Sequence, residues 1–221
     1  MVYDHRSCAG LKMSVKEIRK ICSSVSTCLL KWRLASKEGK IILELITHKV
    51  FGDDDKNEEL SENVTPDINK KDFDEELNSN CNNLQDILGR MRDILSEIES
   101  GEEKSLGVSQ LCDLSSSSSI SPQKTNHSLL NSSNSQNSSV IELDNSVLNA
   151  NDLTKWTRVI SSGYRAQLKM NEIVCRNICH LESRAEALFH TSIWVCQPAL
   201  NTDCEAACLA AELTLKSSQP Q

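Results

Sequence analysis

The stretch Ser192-Ile193-Trp194-Val195-Cys196-Gln197-Pro198 predicts a corner between two helices. Helical patterns lie on both sides of it, but proline lacks a backbone N–H and its ring clashes with the preceding turn. Pro198 therefore cannot continue one unbroken helix. Trp194 lies one turn before it, where an indole can fill the space between crossing helices. We predict a helical hairpin over residues 152–216. An exposed Trp194 that binds a partner is the alternative.

Capping signals support both helices of this hairpin. Asp152 is a suitable N-cap for the first helix, which we expect to be long and to end near the Trp194 corner. Thr202 and Glu205 have the spacing of a capping box at the start of the second helix. Gln167 interrupts the apolar side of the first helix.

An N-terminal helical segment is predicted over residues 14–50, beginning with a capping box formed by Ser14 and Glu17. The apolar residues that follow recur in steps of three and four, which is typical of a helix with one buried face. These residues are Ile18, Ile21, Val25, Cys28 and Trp32. Gly39 is a candidate break or C-cap. The pattern leaves open whether one kinked helix or two helices cover the segment.

A heptad repeat predicts a coiled-coil helix over residues 74–100. Its apolar positions alternate in steps of four and three at Leu77, Cys81, Leu84, Leu88, Met91, Leu95 and Ile98. We expect this seam to supercoil with a neighbouring helix, with an ordinary bundle helix as the alternative. Gly101 is expected to end the helix.

Two polar stretches separate the predicted helices. Residues 51–73 contain Asp53-Asp54-Asp55 and are predicted to form an acidic, exposed linker. Residues 101–148 are rich in serine and asparagine, and we expect them to be disordered because they have too little apolar surface to offset the entropy of ordering. The predicted fold class is therefore all-α: an elongated helical bundle or coiled coil with a C-terminal helical hairpin and disordered linkers.

The composition argues against several classes of function. The chain has 221 residues and a net charge of −7, whereas nonspecific binding of DNA or RNA requires a basic face. No apolar run approaches the length of a membrane span. The glycines have neither Walker nor Rossmann spacing, and no local signature marks a nucleophile. We therefore expect no enzymatic activity, no cofactor, no direct nucleic-acid binding and no membrane insertion.

The ten cysteines are expected to be reduced thiols, many of them small core residues. Cys175 and Cys179 are four residues apart, as are Cys204 and Cys208, so two pairs could in principle supply four zinc thiolates. Zinc knuckles usually place their cysteines across a tight turn, which is missing from both pairs. We predict no metal site.

Three patches together resemble the cyclin-dependent kinase 2-interacting protein family. They are Leu29-Leu30-Lys31-Trp32, Leu84-Gln85-Asp86-Ile87-Leu88, and the corner with Trp194, Gln197 and Pro198 followed by an acidic helix that contains Glu212-Leu213. Leu30, Lys31 and Trp32 carry the N-terminal motif. The serine-rich linker and the acidic insertion near Asp53 depart from the family pattern.

The resemblance implies a small, non-enzymatic adaptor that pairs with a second small helical protein. It also implies membership of an AAA ATPase complex that acts on pre-60S ribosomes and replisomes. The resemblance further implies association with cyclin-dependent and Cdc7-type kinases, and a role in DNA replication and the DNA damage checkpoint. A nuclear location follows, with or without a cytoplasmic pool.

Ser121-Pro122 matches a proline-directed kinase site. A serine-rich segment with a proline also produces such a match by chance.

A structural coiled-coil tether, of the kinetochore or cytoskeleton type, is the rival hypothesis. Heptads, caps and linkers would look the same in such a protein, and the proteins that co-purify with the chain distinguish the two.

Overall fold

The computed structural model describes the backbone of residues 5–52, 66–117, 142–143, 146–147 and 150–216, and the side chains of 16–52, 73–114 and 150–216. In chain order the elements are α1 (His5–Phe51), α2 (Pro66–Ser117), β1 (Glu142–Leu143), β2 (Ser146–Val147), α3 (Ala150–Asn177), a short 3-10 helix (Ile178–His180), α4 (Arg184–Cys196) and α5 (Thr202–Lys216). The two strands pair antiparallel. Ser121 and the acidic run at residues 53–55 lie outside the described residues.

The fold class is confirmed as an all-α bundle. α2 packs on both α1 and α3, and α4 and α5 also pack on both α1 and α3, whereas α1 and α3 touch little. The arrangement is that of a four-helix bundle in which two short helices share the fourth position. Interhelical ion pairs agree with antiparallel neighbours, since Lys31 pairs with Glu97 and Lys49 with Glu76.

The heptad seam of α2 is covered within the chain. Leu84, Leu88, Met91, Leu95 and Ile98 are buried in the main hydrophobic core, and Leu77 is half-buried at its edge. The buried positions of the seam therefore face α1 and α3. The seam is apolar and buried as predicted, but it packs within the chain, as in the bundle-helix alternative, and not on another protein.

Helix α2 does not end at Gly101, and that prediction is wrong. The helix continues to Ser117, through residues that we expected to be disordered. Its continuation is covered by α3 through small polar side chains. Ser105 shares a hydrogen bond of 2.7 Å with Thr157, and Thr154 donates to the Ser105 carbonyl oxygen at 3.1 Å. These bonds satisfy buried hydroxyl groups, which allows a serine-rich helix to pack.

The boundaries of the predicted linkers also change. The acidic linker assigned to 51–73 is helical from Pro66 onward, and β1 and β2 fall within the stretch 101–148. The local composition underestimated the extent of ordered structure here, because packing between helices stabilises segments that would not be helical on their own.

Residues 152–216 form three helices rather than a two-helix hairpin. The chain leaves α3 at Asn177, passes through the 3-10 helix and begins α4 at Arg184. Ser183 caps α4, because its hydroxyl oxygen accepts a 3.3 Å hydrogen bond from the Glu186 backbone N–H. The Ser183-x-x-Glu186 spacing was therefore a readable start signal within the helix that we predicted to be unbroken.

A disulfide joins Cys81 of α2 to Cys179 of the 3-10 helix. The expectation of reduced thiols is wrong for this pair. Its partners are separated by 98 residues, so only the packing of α2 on α3 brings them together.

In the described ranges, no helix combines the length and apolarity that crossing a membrane requires.

Truncation of a side chain in the α2 seam should destabilise the fold. Leu88→Ala leaves a cavity in the core and should lower the free energy of unfolding by about 2–5 kcal/mol. Leu111 lies on the same helix but is 68% exposed, so Leu111→Ala should change it by less than about 0.5 kcal/mol. Urea unfolding followed by circular dichroism measures both. Equal effects would contradict the burial of this seam.

Candidate functional site

Trp194 lies in the last turn of α4 and is fully buried against α1. Its indole N–H donates to the Ser36 carbonyl oxygen at 2.9 Å. The ring occupies the space beside Gly39, where an added Cβ atom would lie only 2.2 Å from the indole Cζ2 atom. The alternative of an exposed tryptophan that binds a partner is therefore wrong.

α1 runs through Gly39 as one continuous helix. The glycine lies in the interior of α1, with neither a break nor a C-cap at that position. A glycine here costs about 1 kcal/mol of helix propensity relative to alanine. It is needed because a larger residue would occupy the place of the Trp194 indole.

Gln197 follows α4 in the left-handed conformation, with φ 46° and ψ 59°. Its side-chain oxygen accepts from the Trp32 indole N–H at 2.9 Å, and its side-chain nitrogen donates to the Ser36 hydroxyl at 3.0 Å. A left-handed conformation costs a non-glycine residue about 1–2 kcal/mol. The two bonds to α1 fix the side chain and offset part of that cost. We call Trp32, Ser36, Gly39, Trp194 and Gln197 the clamp.

Trp32 completes the clamp from α1. It is fully buried, and its ring lies edge-on to Tyr164 of α3 with centroids 4.9 Å apart. The N-terminal and corner motifs, distant in sequence, therefore meet at one place. A buried indole N–H without an acceptor would be costly, so Gln197 is the partner that Trp32 requires.

Pro198 turns the chain out of α4. The Leu200 backbone N–H donates to the Gln197 carbonyl oxygen at 2.9 Å, which closes a turn around the proline. α5 then begins at Thr202, and the side-chain oxygen of Asn201 accepts from the Cys204 backbone N–H at 3.0 Å. Asn201 therefore caps α5 where a Thr202–Glu205 capping box was predicted.

Gln167 of α3 is hydrogen-bonded to the corner that follows α4, although the sequence analysis identified it only as an interruption in the apolar side of a helix. Its side chain is fully buried. Its oxygen accepts from the Ala199 backbone N–H at 3.2 Å, and its nitrogen donates to Asn171 at 2.8 Å. A polar amide within an apolar stripe was the available signal, because buried amides require such partners.

Leu30 and Lys31 do not take part in the clamp. Leu30 points outward and is 55% exposed. Lys31 forms an exposed ion pair with Glu97 of α2 at 2.8 Å. Its hydrogen bond with Glu97 raises the pKa of Lys31, and the same bond lowers the pKa of the Glu97 carboxyl. Of Leu30, Lys31 and Trp32, only Trp32 is a core residue.

A second apolar surface runs along the outer side of α1. Four large side chains recur in steps of four, seven and four, and each is about half exposed; we call them the α1 stripe: Leu30, Leu34, Ile41 and Leu45. They lie on the opposite side of the helix from its buried residues. Two hollows of about 310 and 410 Å³ lie between α1 and α2, one bordered by Leu34 and the other by Ile41.

The two cysteine pairs considered for zinc lie apart in their contacts. Cys175 is a buried free thiol and Cys179 is bonded to Cys81, whereas Cys204 and Cys208 line a cavity with Tyr164. Among the residues described by the structure, no group of three or more His, Cys, Asp or Glu side chains is placed to hold a metal ion.

Comparison of the chain with protein-family models and with curated protein sequences gave no match.

Adding a methyl group at Gly39 should displace Trp194. Overpacking of this kind costs about 1–3 kcal/mol, so Gly39→Ala should lower the free energy of unfolding although alanine favours helices. Gly89 is the matched control, since an added Cβ meets nothing within 4 Å. Gly89→Ala should raise stability by about 0.5–1 kcal/mol. Thermal melts compare them, and a stabilising Gly39→Ala would exclude the proposed contact.

Two substitutions at Gln197 separate its hydrogen bonds from its backbone strain. Gln197→Ala removes both side-chain bonds and keeps the strain, so we expect a loss of about 1–3 kcal/mol. Gln197→Gly removes the same bonds but relieves the left-handed strain and should be less destabilising by about 1 kcal/mol. Denaturant unfolding measures the difference. Identical values for both variants would show that the strain is absent in solution.

Proposed function

We propose that the protein is a non-enzymatic adaptor subunit that pairs through helices with another small helical protein. The α1 stripe is the observation that carries this proposal. Large apolar side chains that are about half exposed at heptad-like spacing are typical of a surface that another helix covers. The heptad seam of α2 is already occupied by the chain's own core, so α1 is the better candidate.

The dimensions of the α1 stripe suit a single helix. From Leu30 to Leu45 the stripe extends about 22 Å along α1, which corresponds to four turns. A partner helix of about 15 residues would cover it. The hollows beside Leu34 and Ile41 provide holes between α1 and α2 into which apolar side chains of the partner can insert.

Three charged residues beside the stripe are already paired within the chain. Lys31 pairs with Glu97, Glu38 with Arg90, and Lys40 with Glu44. A partner would therefore gain most of its affinity from apolar contact, with charges setting orientation at the rim. An amphipathic helix with leucine or isoleucine at heptad spacing fits this surface.

The cellular role rests on the resemblance of the motifs to the cyclin-dependent kinase 2-interacting protein family. By that resemblance the adaptor belongs to an AAA ATPase complex in pre-60S ribosome maturation, DNA replication and the damage checkpoint. It would act in the nucleus beside cyclin-dependent and Cdc7-type kinases, with Ser121 as a kinase site. Trp32 from the N-terminal patch lies together with Trp194 and Gln197 from the corner in the clamp. This contact supports treating these two patches as one motif.

Charge placed in the α1 stripe should abolish pairing without unfolding the protein. We expect Leu34→Asp and Ile41→Asp each to weaken partner binding at least about tenfold, because a carboxylate would be buried at the interface. Their melting temperatures should stay within about 3 °C of wild type, since both side chains are exposed. Leu111→Asp on α2 is the control and should retain binding.

Affinity purification from cells, followed by mass spectrometry, reads out the partners of each variant. Recovery of AAA ATPase subunits and ribosome precursors with wild type, and their loss with Leu34→Asp, is the expected result. Exclusive recovery of centromere or cytoskeletal proteins would replace the adaptor with the structural tether. Unchanged recovery with both stripe variants would remove the stripe as the pairing surface.

A further inference from the structure

The surface between α1 and α2 contains two hollows that repeat along the helix pair. Each hollow is bordered by one exposed apolar residue of α1, Leu34 in the first and Ile41 in the second. Each is also lined by one buried isoleucine of α2, Ile94 in the first and Ile87 in the second. Both pairs are separated by seven residues, so the hollows lie about 10.5 Å apart. We call them the paired hollows.

Two ion pairs cross this surface from α1 to α2. The Lys31 ammonium donates to both carboxylate oxygens of Glu97, at 3.1 and 2.8 Å, beside the first hollow. Arg90 of α2 pairs with Glu38 of α1, and these two residues border both hollows. Each pair is neutral as a whole, so a partner could use one of these four charges only by competing with an existing contact.

Each hollow has one further charge, a carboxylate on its α2 side. Asp93 borders the first hollow and Asp86 the second, again seven residues apart. Both side chains are exposed, and among the described residues neither carboxylate forms an ion pair or a side-chain hydrogen bond. Arg90 lies within one turn of both, but its guanidinium is paired with Glu38. The two carboxylates are therefore the uncompensated charges of the paired hollows.

The surface thus repeats an apolar hollow beside an unpaired carboxylate at an interval of one heptad. In coiled coils, apolar side chains of one helix insert into holes of its neighbours, and the residues that flank them form ion pairs across the interface. A helix that covers the α1 stripe would place one of its flanks over α2. That flank would lie against Asp86 and Asp93.

This inference rests on the proposed pairing of the α1 stripe with a partner helix. We propose that the partner helix has a basic flank, with lysine or arginine residues seven apart that pair with Asp93 and Asp86. Apolar residues of the same helix, also seven apart, fill the paired hollows. The chain has a net charge of −7, which attracts a basic partner at long range as well.

Lysine and arginine suit these positions for a second reason. Their aliphatic stems can lie over apolar surface while the charged group reaches a polar one. At each of the paired hollows the exposed Leu34 or Ile41 provides that apolar surface from α1, and the carboxylate lies on α2. One basic side chain can therefore cover the apolar residue and pair with the carboxylate.

The other border of the α1 stripe is positively charged. Lys37 is exposed, lines neither hollow and forms no ion pair among the described residues. A basic flank on that side would be repelled, so the two flanks of the partner should differ in charge. Such a difference selects one direction of the partner helix, because turning the helix end for end exchanges its flanks.

Synthetic helical peptides test the role of the two carboxylates on the full chain. Two fluorescent peptides of three heptads carry isoleucine and leucine at the core positions and differ only at the flanking positions, which are all lysine in one and all glutamine in the other. With lysine on both flanks, one basic flank lies over α2 in either direction of binding. Fluorescence anisotropy measures the Kd of each peptide.

Removal of both carboxylates should weaken only the lysine peptide. Asp86→Asn combined with Asp93→Asn should raise its Kd about fivefold, as expected for the loss of two exposed ion pairs. The Kd of the glutamine peptide should change by less than about twofold, since its contacts are apolar. In 1 M NaCl the difference for the lysine peptide should nearly disappear, because the Debye length falls to about 3 Å.

Asp74→Asn combined with Glu103→Gln is the matched control. Both residues are exposed on α2 and line neither hollow, and this double variant removes the same total charge. It should leave the Kd of both peptides within about twofold of wild type. An equal loss of lysine-peptide binding in the control would show that only net charge matters and would overturn the assignment.

The remaining outcomes separate this inference from the pairing on which it rests. Equal weakening of both peptides by the Asp86 and Asp93 double variant would refute a role in reading basic residues. If Leu34→Asp abolishes binding of both peptides while the double variant changes neither, the α1 stripe is retained as a helix-binding surface and the basic flank is rejected. Binding of neither peptide to wild type would reject both.

Discussion

The contact between the Trp194 indole and the Gly39 backbone is the constraint on which the rest of the bundle depends. α4 and α5 are short helices and could not be stable alone. Their position on α1 is fixed where an indole fits beside a glycine and donates to the Ser36 carbonyl oxygen. Gln197 adds two hydrogen bonds at the same place. The corner between α4 and α5 is therefore held by contacts with α1, together with the hydrogen bond from Ala199 to Gln167 of α3.

Buried polar groups specify how α3 meets its neighbours. Gln167 links the corner to Asn171, whose side-chain nitrogen lies 3.4 Å from the Met91 sulfur of α2. Ser105 and Thr157 provide a similar link farther along the same pair of helices. Each group is satisfied only in one register, because a shift of a single residue would leave buried donors unpaired. Apolar contacts supply most of the driving force, and these bonds select the alignment.

Closure of the core leaves distinct surfaces for function. The α2 seam is used internally, whereas the α1 stripe remains half exposed on the opposite side of α1 from the clamp. A cavity of about 380 Å³ lies on the α5 side of the bundle, lined in part by Gln197 and Tyr164. Gln197 belongs to both the clamp and the wall of this cavity.

Local patterns in the sequence determined the helical class, the buried face of α1, the apolar seam of α2 and the corner at Pro198, because periodicity, caps and proline act over a few residues. Ser183-x-x-Glu186 could also have been recognised. Tertiary structure alone decided that α2 continues past Gly101, that Cys81 joins Cys179, and that Gln167 is a buried hub. It also decided that Gly39 receives Trp194. Each of these depends on residues far apart in the chain, whose contacts exist only once the helices have packed.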